Sequence, residues 1–340
     1  MGTVSVKDVA RLAGVSVGTV SNVLNSPEKV TAATLQRVQD AIDKLGFVRN
    51  DAARQLRLGS STAIGLLILD VRNPFFTELA RGAEDYAARF GFSVVLGNSD
   101  EDSARESGYL DLFEQQRVRG VLISPIGDVS ARLHKLRQRG TRAVLVDRVS
   151  ADSAFSSVSV DDVAGGSIAA NHLLESGRRR IAFLGGPASF RQVSDRLAGA
   201  RSAVAAHPGA ALEVIEASAS TVQAGSEVAR RILARAEADR PDAIFASNDL
   251  LAIGALQVLA ASGEVRVPDD IAFVGYDDID FASASIVPLT SVRQPAALMG
   301  ETAVQLLFSE VEDLGAKPQA VQFQPELVIR ASSAREGSTG

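Results

Sequence analysis

Val6-Lys7-Asp8-Val9-Ala10-Arg11-Leu12-Ala13-Gly14-Val15-Ser16-Val17-Gly18-Thr19-Val20-Ser21-Asn22-Val23-Leu24-Asn25 reads as two short amphipathic helices around a Gly-Val-Ser turn. Ser5 can cap the first helix with Asp8 at its third position, and Ser16 can cap the second. Val9, Leu12 and Ala13 are expected to face Val20 and Leu24, which leaves the outer face of the second helix free to enter a groove. That is a helix-turn-helix. Thr31 is expected to cap a third helix carrying Leu35, Val38, Ile42 and Leu45 at helical spacing, and Gly46 ends it. The next run, Arg49-Asn50-Asp51-Ala52-Ala53-Arg54-Gln55-Leu56-Arg57, has too few apolar groups to hold a helix in water by itself.

The chain has 340 residues, more than one average domain, and 46% are hydrophobic, enough for a sizeable core. No apolar run reaches membrane-spanning length and the start lacks a signal-peptide pattern, so a cytoplasmic protein without membrane contact is expected. With no cysteine, disulfides and thiolate chemistry are excluded, and His134, His172 and His207 lie far apart, so no metal site is expected. Charge is uneven. Up to Thr62 eight Lys and Arg stand against five Asp and Glu, a net of +3, which leaves −9 for the rest of a chain whose total is −6. Neutralising phosphate would therefore fall to the N-terminal segment.

Beyond Gly59-Ser60-Ser61, apolar runs alternate with helical stretches. Strands are expected at 63–69, 92–96, 120–123, 143–146, 181–184, 243–246 and 271–274, and helices at 76–89, 104–115, 163–175, 191–205, 222–236 and 250–261. Continuous apolar strands separated by helices mean parallel sheet covered on both faces. The alternation is too long for one such sheet, so two lobes with a cleft are predicted, with ligand at the carboxyl ends of the strands. Polar residues gather at those ends: Asp70-Val71-Arg72-Asn73-Pro74-Phe75-Phe76, Asp147-Arg148, Asn248-Asp249, Gly275-Tyr276-Asp277-Asp278 and Arg293-Gln294. Carboxylates, amides and guanidinium suit a polyol, and rings cover the apolar face of a sugar.

The N-terminal run resembles the headpiece and hinge of the LacI family of transcriptional regulators. The rest resembles that family's effector core and the ribose-binding class of periplasmic sugar receptors. The resemblance implies an all-α helix-turn-helix headpiece at 1–48, a hinge helix and linker at 49–61, a two-lobed α/β core with parallel sheets at 62–331 and a flexible tail at 332–340. It implies a homodimeric DNA-binding repressor on a pseudopalindromic double-stranded operator, with a monosaccharide or derivative in the cleft and no cofactor.

By the same likeness Asn73, Phe75 and Phe76 form the sugar-holding turn, Asp147 and Arg148 match the family's Asp-Arg pair, and Arg196 matches its pocket arginine. Asn248, Asp277 and Gln294 complete the set, while Asp161 matches a structural carboxylate at the lobe crossover. The base readers correspond to Val17, Gly18 and Asn22, of which Asn22 alone can make the bidentate contact favoured with adenine. The hydroxyls of Ser5, Ser16, Thr19, Ser21 and Thr34 would mostly position the protein on phosphate, Asn25 and Asn50 are further expected DNA contacts, and Leu56 matches the minor-groove wedge with Ala53 beside it. Two departures stand out. Ala219-Ser220-Thr221-Val222 offers no ring where relatives stack one on the effector, and Arg72 could reach into the pocket and select an anion, although a surface position is expected for it. A sugar-metabolising enzyme would need a nucleophile, acid–base pair or cofactor loop, and neither G-x-G-x-x-G nor G-x-x-x-x-G-K-[ST] is present. A plain sugar receptor would not need the headpiece.

Overall fold

The structure, a computed structural model, describes residues 4–47, 61–187, 190–313 and 315–334. The chain divides into two compact units, Met1–Ser60 and Ser61–Gly340. In the first, α1 (Val6–Ala13), α2 (Val17–Asn25) and α3 (Ala32–Leu45) enclose Val9, Ala10, Ala13, Val20, Val23, Val38, Ala41 and Phe47. The Asp8 carboxylate accepts from both the N–H and the hydroxyl of Ser5, and the Ser16 hydroxyl accepts from the Thr19 N–H. Gly14 and Gly46 close α1 and α3 with φ of 65° and 59°, a backbone favoured by glycine. Two expectations are corrected. Leu12 is 44% exposed, and Ala10 and Val23 take up the interior instead. Thr31 precedes α3 without a capping bond, its hydroxyl donating to Thr34 Oγ1.

The second unit contains two six-stranded sheets. The first lobe is built on β1 (Ala63–Ile68), β2 (Ser93–Asn98), β3 (Gly120–Ile123), β4 (Arg142–Val146) and β5 (Ser156–Val160), interleaved with α4 (Pro74–Ala88), α5 (Ser103–Gln115) and α6 (Ser130–Gln138). The second lobe follows with α7 (Asp162–Glu175), β6 (Arg180–Gly185), α8 (Arg191–Ala205), β7 (Ala211–Glu216), α9 (Val222–Leu233) and β8 (Ala243–Ala246). It continues through α10 (Asp249–Ala261), β9 (Ala272–Asp277), α11 (Asp280–Ser283) and β10 (Thr290–Arg293). Then α12 (Ala296–Glu312) packs back on α4, β11 (Ala320–Phe323) pairs with β5, and β12 (Glu326–Val328) runs antiparallel to β10. The chain thus passes between lobes after β5, after β10 and after β11, which permits a cleft bounded by three connections.

The strands expected from sequence are all present, with ends shifted by a few residues. Those at 156–160, 211–216, 290–293, 320–323 and 326–328, and the helices at 130–138 and 296–312, were not anticipated. The boundary at 331 is also corrected. Ser332 and Ser333 are buried, with Ser332 Oγ donating to the Phe273 carbonyl and accepting from the Thr290 N–H, so 332–334 belong to the second lobe.

Candidate functional site

Around α2, one turn spans 3.6 residues, so Val17, Gly18, Ser21, Asn22 and Asn25 share a face. Val20 and Val23 occupy the opposite, buried face. Val17, Gly18 and Asn22 are exposed. The Asn25 amide is folded back onto the Ser21 carbonyl and hydroxyl at 2.7 and 3.2 Å, and Ser5 and Ser16 serve as caps, so these polar groups have partners within their own helices. Thr34 and Thr19 are half-buried. Asn50, Ala53 and Leu56, with the rest of the expected hinge, lie outside the described residues.

In the second unit the carboxyl ends of β1, β4, β8, β9 and β10 and the helix α8 bring together Asn73, Phe75, Phe76, Asp147, Arg196, Asn248, Asp277 and Gln294 around one pocket. The cavity measures about 60 Å³, which suits a compact ligand. Local structure aims each group. Asn73 caps α4 by accepting from Phe75 N–H, and its amide donates across the cleft to Asp277 Oδ2 at 3.1 Å. Asn248 caps α10 and donates to the Ser220 carbonyl. Asp147 and Asp277 turn inward on left-handed backbone, with φ of 58° and 103°, strain of a kind found at functional positions.

Arg196 is held by an unusually close crossing of α7 and α8. A Cβ on Gly166 would lie 1.9 Å from the Arg196 carbonyl oxygen, and one on Gly199 2.0 Å from that of Val163. The guanidinium then donates to Asp162 Oδ1 at 2.7 Å and to the Ser247 carbonyl at 2.6 Å, lies 3.7 Å from the Asp277 carboxylate and sits over the Tyr276 ring. Burial opposes its charge, but Asp162, Asp277 and Asp147 more than offset this and hold it ionised. Burial, reinforced by Asp162, pushes the Asp147 carboxyl up to about 8 against the pull of Arg196 and Gln192. Burial pushes Asp277 up to about 6, with Arg196, Asn73 and Gln294 pulling the other way.

Asp70, from the polar run after β1, lines the pocket, and several further lining residues escaped the sequence reading: Glu101, Phe190, Gln192 and Ser247. Gln192 ties the lobes together, its amide donating to both the carbonyl and Oδ2 of Asp147. Phe190 supplies a third ring beside Phe75 and Phe76, so the absence of an aromatic at Ser220 does not leave the pocket short of one. Asp161 has a structural place at the crossover, capping α7 by accepting from the Ala164 N–H, and its neighbour Asp162 engages Arg196. Arg148 is corrected. It does not line the pocket but donates to the Gly127 carbonyl, because adjacent residues leaving a strand point to opposite sides and Asp147 takes the inner one. Arg72 points outward, 65% exposed and paired with Asp70 and Asp100. Two buried oxygens, Asp147 Oδ1 and Gln294 Oε1, have no partner. A bound hydroxyl, which both donates and accepts, would satisfy the amide oxygen and the protonated carboxyl alike.

Comparison with known proteins follows the same division. Residues 5–50 match the model for bacterial regulatory proteins of the lacI family, and residues 170–333 match a periplasmic binding protein-like domain. The HTH-type transcriptional repressor PurR of Aliivibrio fischeri is 32% identical over 335 residues, covering 96% of this chain and 98% of that protein. The ribose operon repressor of Escherichia coli is 34% identical over 335 residues, covering 97% and 99%. The solved lac repressor dimer bound to operator and the anti-inducer ONPF is 28% identical, with a TM-score of 0.83 over 98% of this chain and 100% of that one.

Proposed function

The chain belongs to the LacI family of bacterial regulatory proteins, DNA-binding transcriptional regulators, and from that premise we propose that it is a repressor. It binds a pseudopalindromic operator as a homodimer and takes a sugar-like effector of monosaccharide size in the cleft. The observation that carries the effector reading is the pair of unpartnered buried oxygens, Asp147 Oδ1 and Gln294 Oε1, in a pocket lined by three phenylalanine rings. Hydroxyls, able to donate and accept, would satisfy both while the rings cover C–H faces. The relatives named for ribose and purine repression make pentoses and purines the compounds to compare first.

The cleft also supports a switch. Asn73 to Asp277 and Gln192 to Asp147 link the lobes through groups that face the ligand space. A ligand that rearranges those bonds favours one lobe spacing over another, and only such differential contact can change DNA affinity. Leu56 would act at the operator centre as the wedge, so Leu56→Ala should weaken operator binding while leaving sugar affinity unchanged.

Selection of DNA fragments by the full-length protein, followed by footprinting with and without pentoses, hexoses, deoxy sugars and purines, tests the whole reading. The expected outcome is a two-fold symmetric footprint whose strength one sugar changes, the sign of the change separating inducer from co-repressor. A footprint indifferent to every sugar but altered by a purine would overturn the effector assignment, and no sequence preference would overturn the repressor.

A further inference from the structure

The cleft is lined mainly by acidic groups. Four carboxyl groups face it, those of Asp70, Glu101, Asp147 and Asp277, of which Asp147 keeps its proton at neutral pH, against a single guanidinium, Arg196. That guanidinium is already occupied by Asp162, the Ser247 carbonyl and the Tyr276 ring. The arginines next in sequence to lining residues are directed elsewhere, Arg148 to the Gly127 carbonyl, Arg72 to Asp70 and Asp100, Arg191 to Asp195 and Arg293 to Asp278. No free cation among the lining residues is left to receive an anion.

Glu101 is the member of this set whose carboxylate takes no hydrogen bond among the described residues, the neighbouring Arg72 attracting it but being bonded to Asp70 and Asp100. Asp70 is neutralised by Arg72, and Asp277 accepts from Asn73 and Gln294. The Glu101 carboxylate is half-buried and lines the pocket. It is presented from a left-handed backbone with φ of 59°. The unpartnered Gln294 Oε1, on a side chain more than nine-tenths buried in the same pocket, independently calls for a ligand that donates, while the protonated Asp147 carboxyl can meet a hydroxyl at its unpartnered Oδ1.

Resting on the effector reading above, we infer that the cleft takes an uncharged or amino-substituted polyhydroxyl ligand, that it rejects the phosphorylated and carboxylated counterparts, and that Glu101 is the residue chiefly setting this discrimination. An ammonium or hydroxyl would donate to Glu101. A phosphate or carboxylate brought there would meet like charge in a partly desolvated site, where the repulsion is stronger than in water.

The test uses the full-length protein with D-ribose, D-glucose, D-glucosamine, D-ribose 5-phosphate, D-glucose 6-phosphate and D-gluconate, read by calorimetry and thermal shift. Each neutral or amino compound that binds should exceed its anionic counterpart by about tenfold or more. Glu101→Gln, which keeps size and removes charge, should shrink that ratio mainly by raising the affinity of the anionic compound. An anionic compound binding as tightly as its parent to the wild-type protein overturns the inference and leaves the sugar reading standing. An unchanged ratio in Glu101→Gln overturns the assignment to Glu101. Failure of all six to bind, with a purine binding instead, overturns the sugar reading and the inference with it.

Discussion

Asn22 stands at the exposed face of α2 with Val17 and Gly18 and is the one of the three able to read a base through paired hydrogen bonds. Asn22→Ala should therefore cost about 1 to 3 kcal/mol on the specific operator and little on random DNA. Binding titrations showing equal losses on both would reduce Asn22 to a phosphate contact. Asp147 makes a different prediction, because its carboxyl is raised to about 8 by burial and by Asp162 from an ordinary value of 3.8. Between those values the native protein retains a proton that the unfolded chain gives up, so this group's stabilising contribution is complete at low pH. It declines as pH rises towards 8, by at most about 1.4 kcal/mol per pH unit. Asp277, raised to about 6, adds to the decline over the lower part of that range. Asp147→Asn should flatten the fall in melting temperature between about pH 5 and pH 8. Parallel curves for variant and wild type would contradict the buried, protonated state.

At the scale of elements, the crossing of α7 and α8 is what fixes Arg196 against Asp162. Gly199→Ala would force a methyl into the Val163 carbonyl, and overpacking of this kind costs about 1 to 3 kcal/mol. The variant should melt lower and bind the effector more weakly, since separating the helices moves the guanidinium; a stability loss with unchanged effector affinity would show that Arg196 does not depend on the crossing. Most of the helices and the strands β1, β3, β4, β6, β8 and β9 were legible because they alternate as long apolar and amphipathic runs, whereas the inner strands β5 and β10, which mix serine or threonine with valine, were not. β7, Ala-Leu-Glu-Val-Ile-Glu, was not, since an edge strand mixes exposed and buried positions, and β12, with three residues, is defined by its pairing to β10. The site divides in the same way. Acidic groups directly after strands, such as Asp147 and Asp277, announce themselves at the change from apolar to polar sequence. Gln192 and Phe190 lie at the start of a helix, and Glu101 in a loop, where only the fold turns them to the cleft.

At the scale of the molecule, a pseudopalindromic operator requires two headpieces related by two-fold symmetry, and the second copy must be held by an isologous surface. β2 is the outer strand of its sheet and carries Val95 and Leu96 at 43% and 41% exposure, with Leu112 of the adjoining α5 at 40%. In the other lobe Phe281 and Ile286 are 60% and 63% exposed. Apolar side chains on an open sheet edge invite association unless covered, and a self-complementary contact would cover them. Leu96→Asp places two like charges at or near the symmetry axis if this face joins the copies, so sedimentation should reveal monomer at concentrations where the wild type is dimeric. Operator affinity should then become steeply dependent on protein concentration, because each monomer holds one half-site, while the effector affinity of each chain stays as it was. A variant that remained dimeric and bound operator normally would move the interface to another face of the second unit.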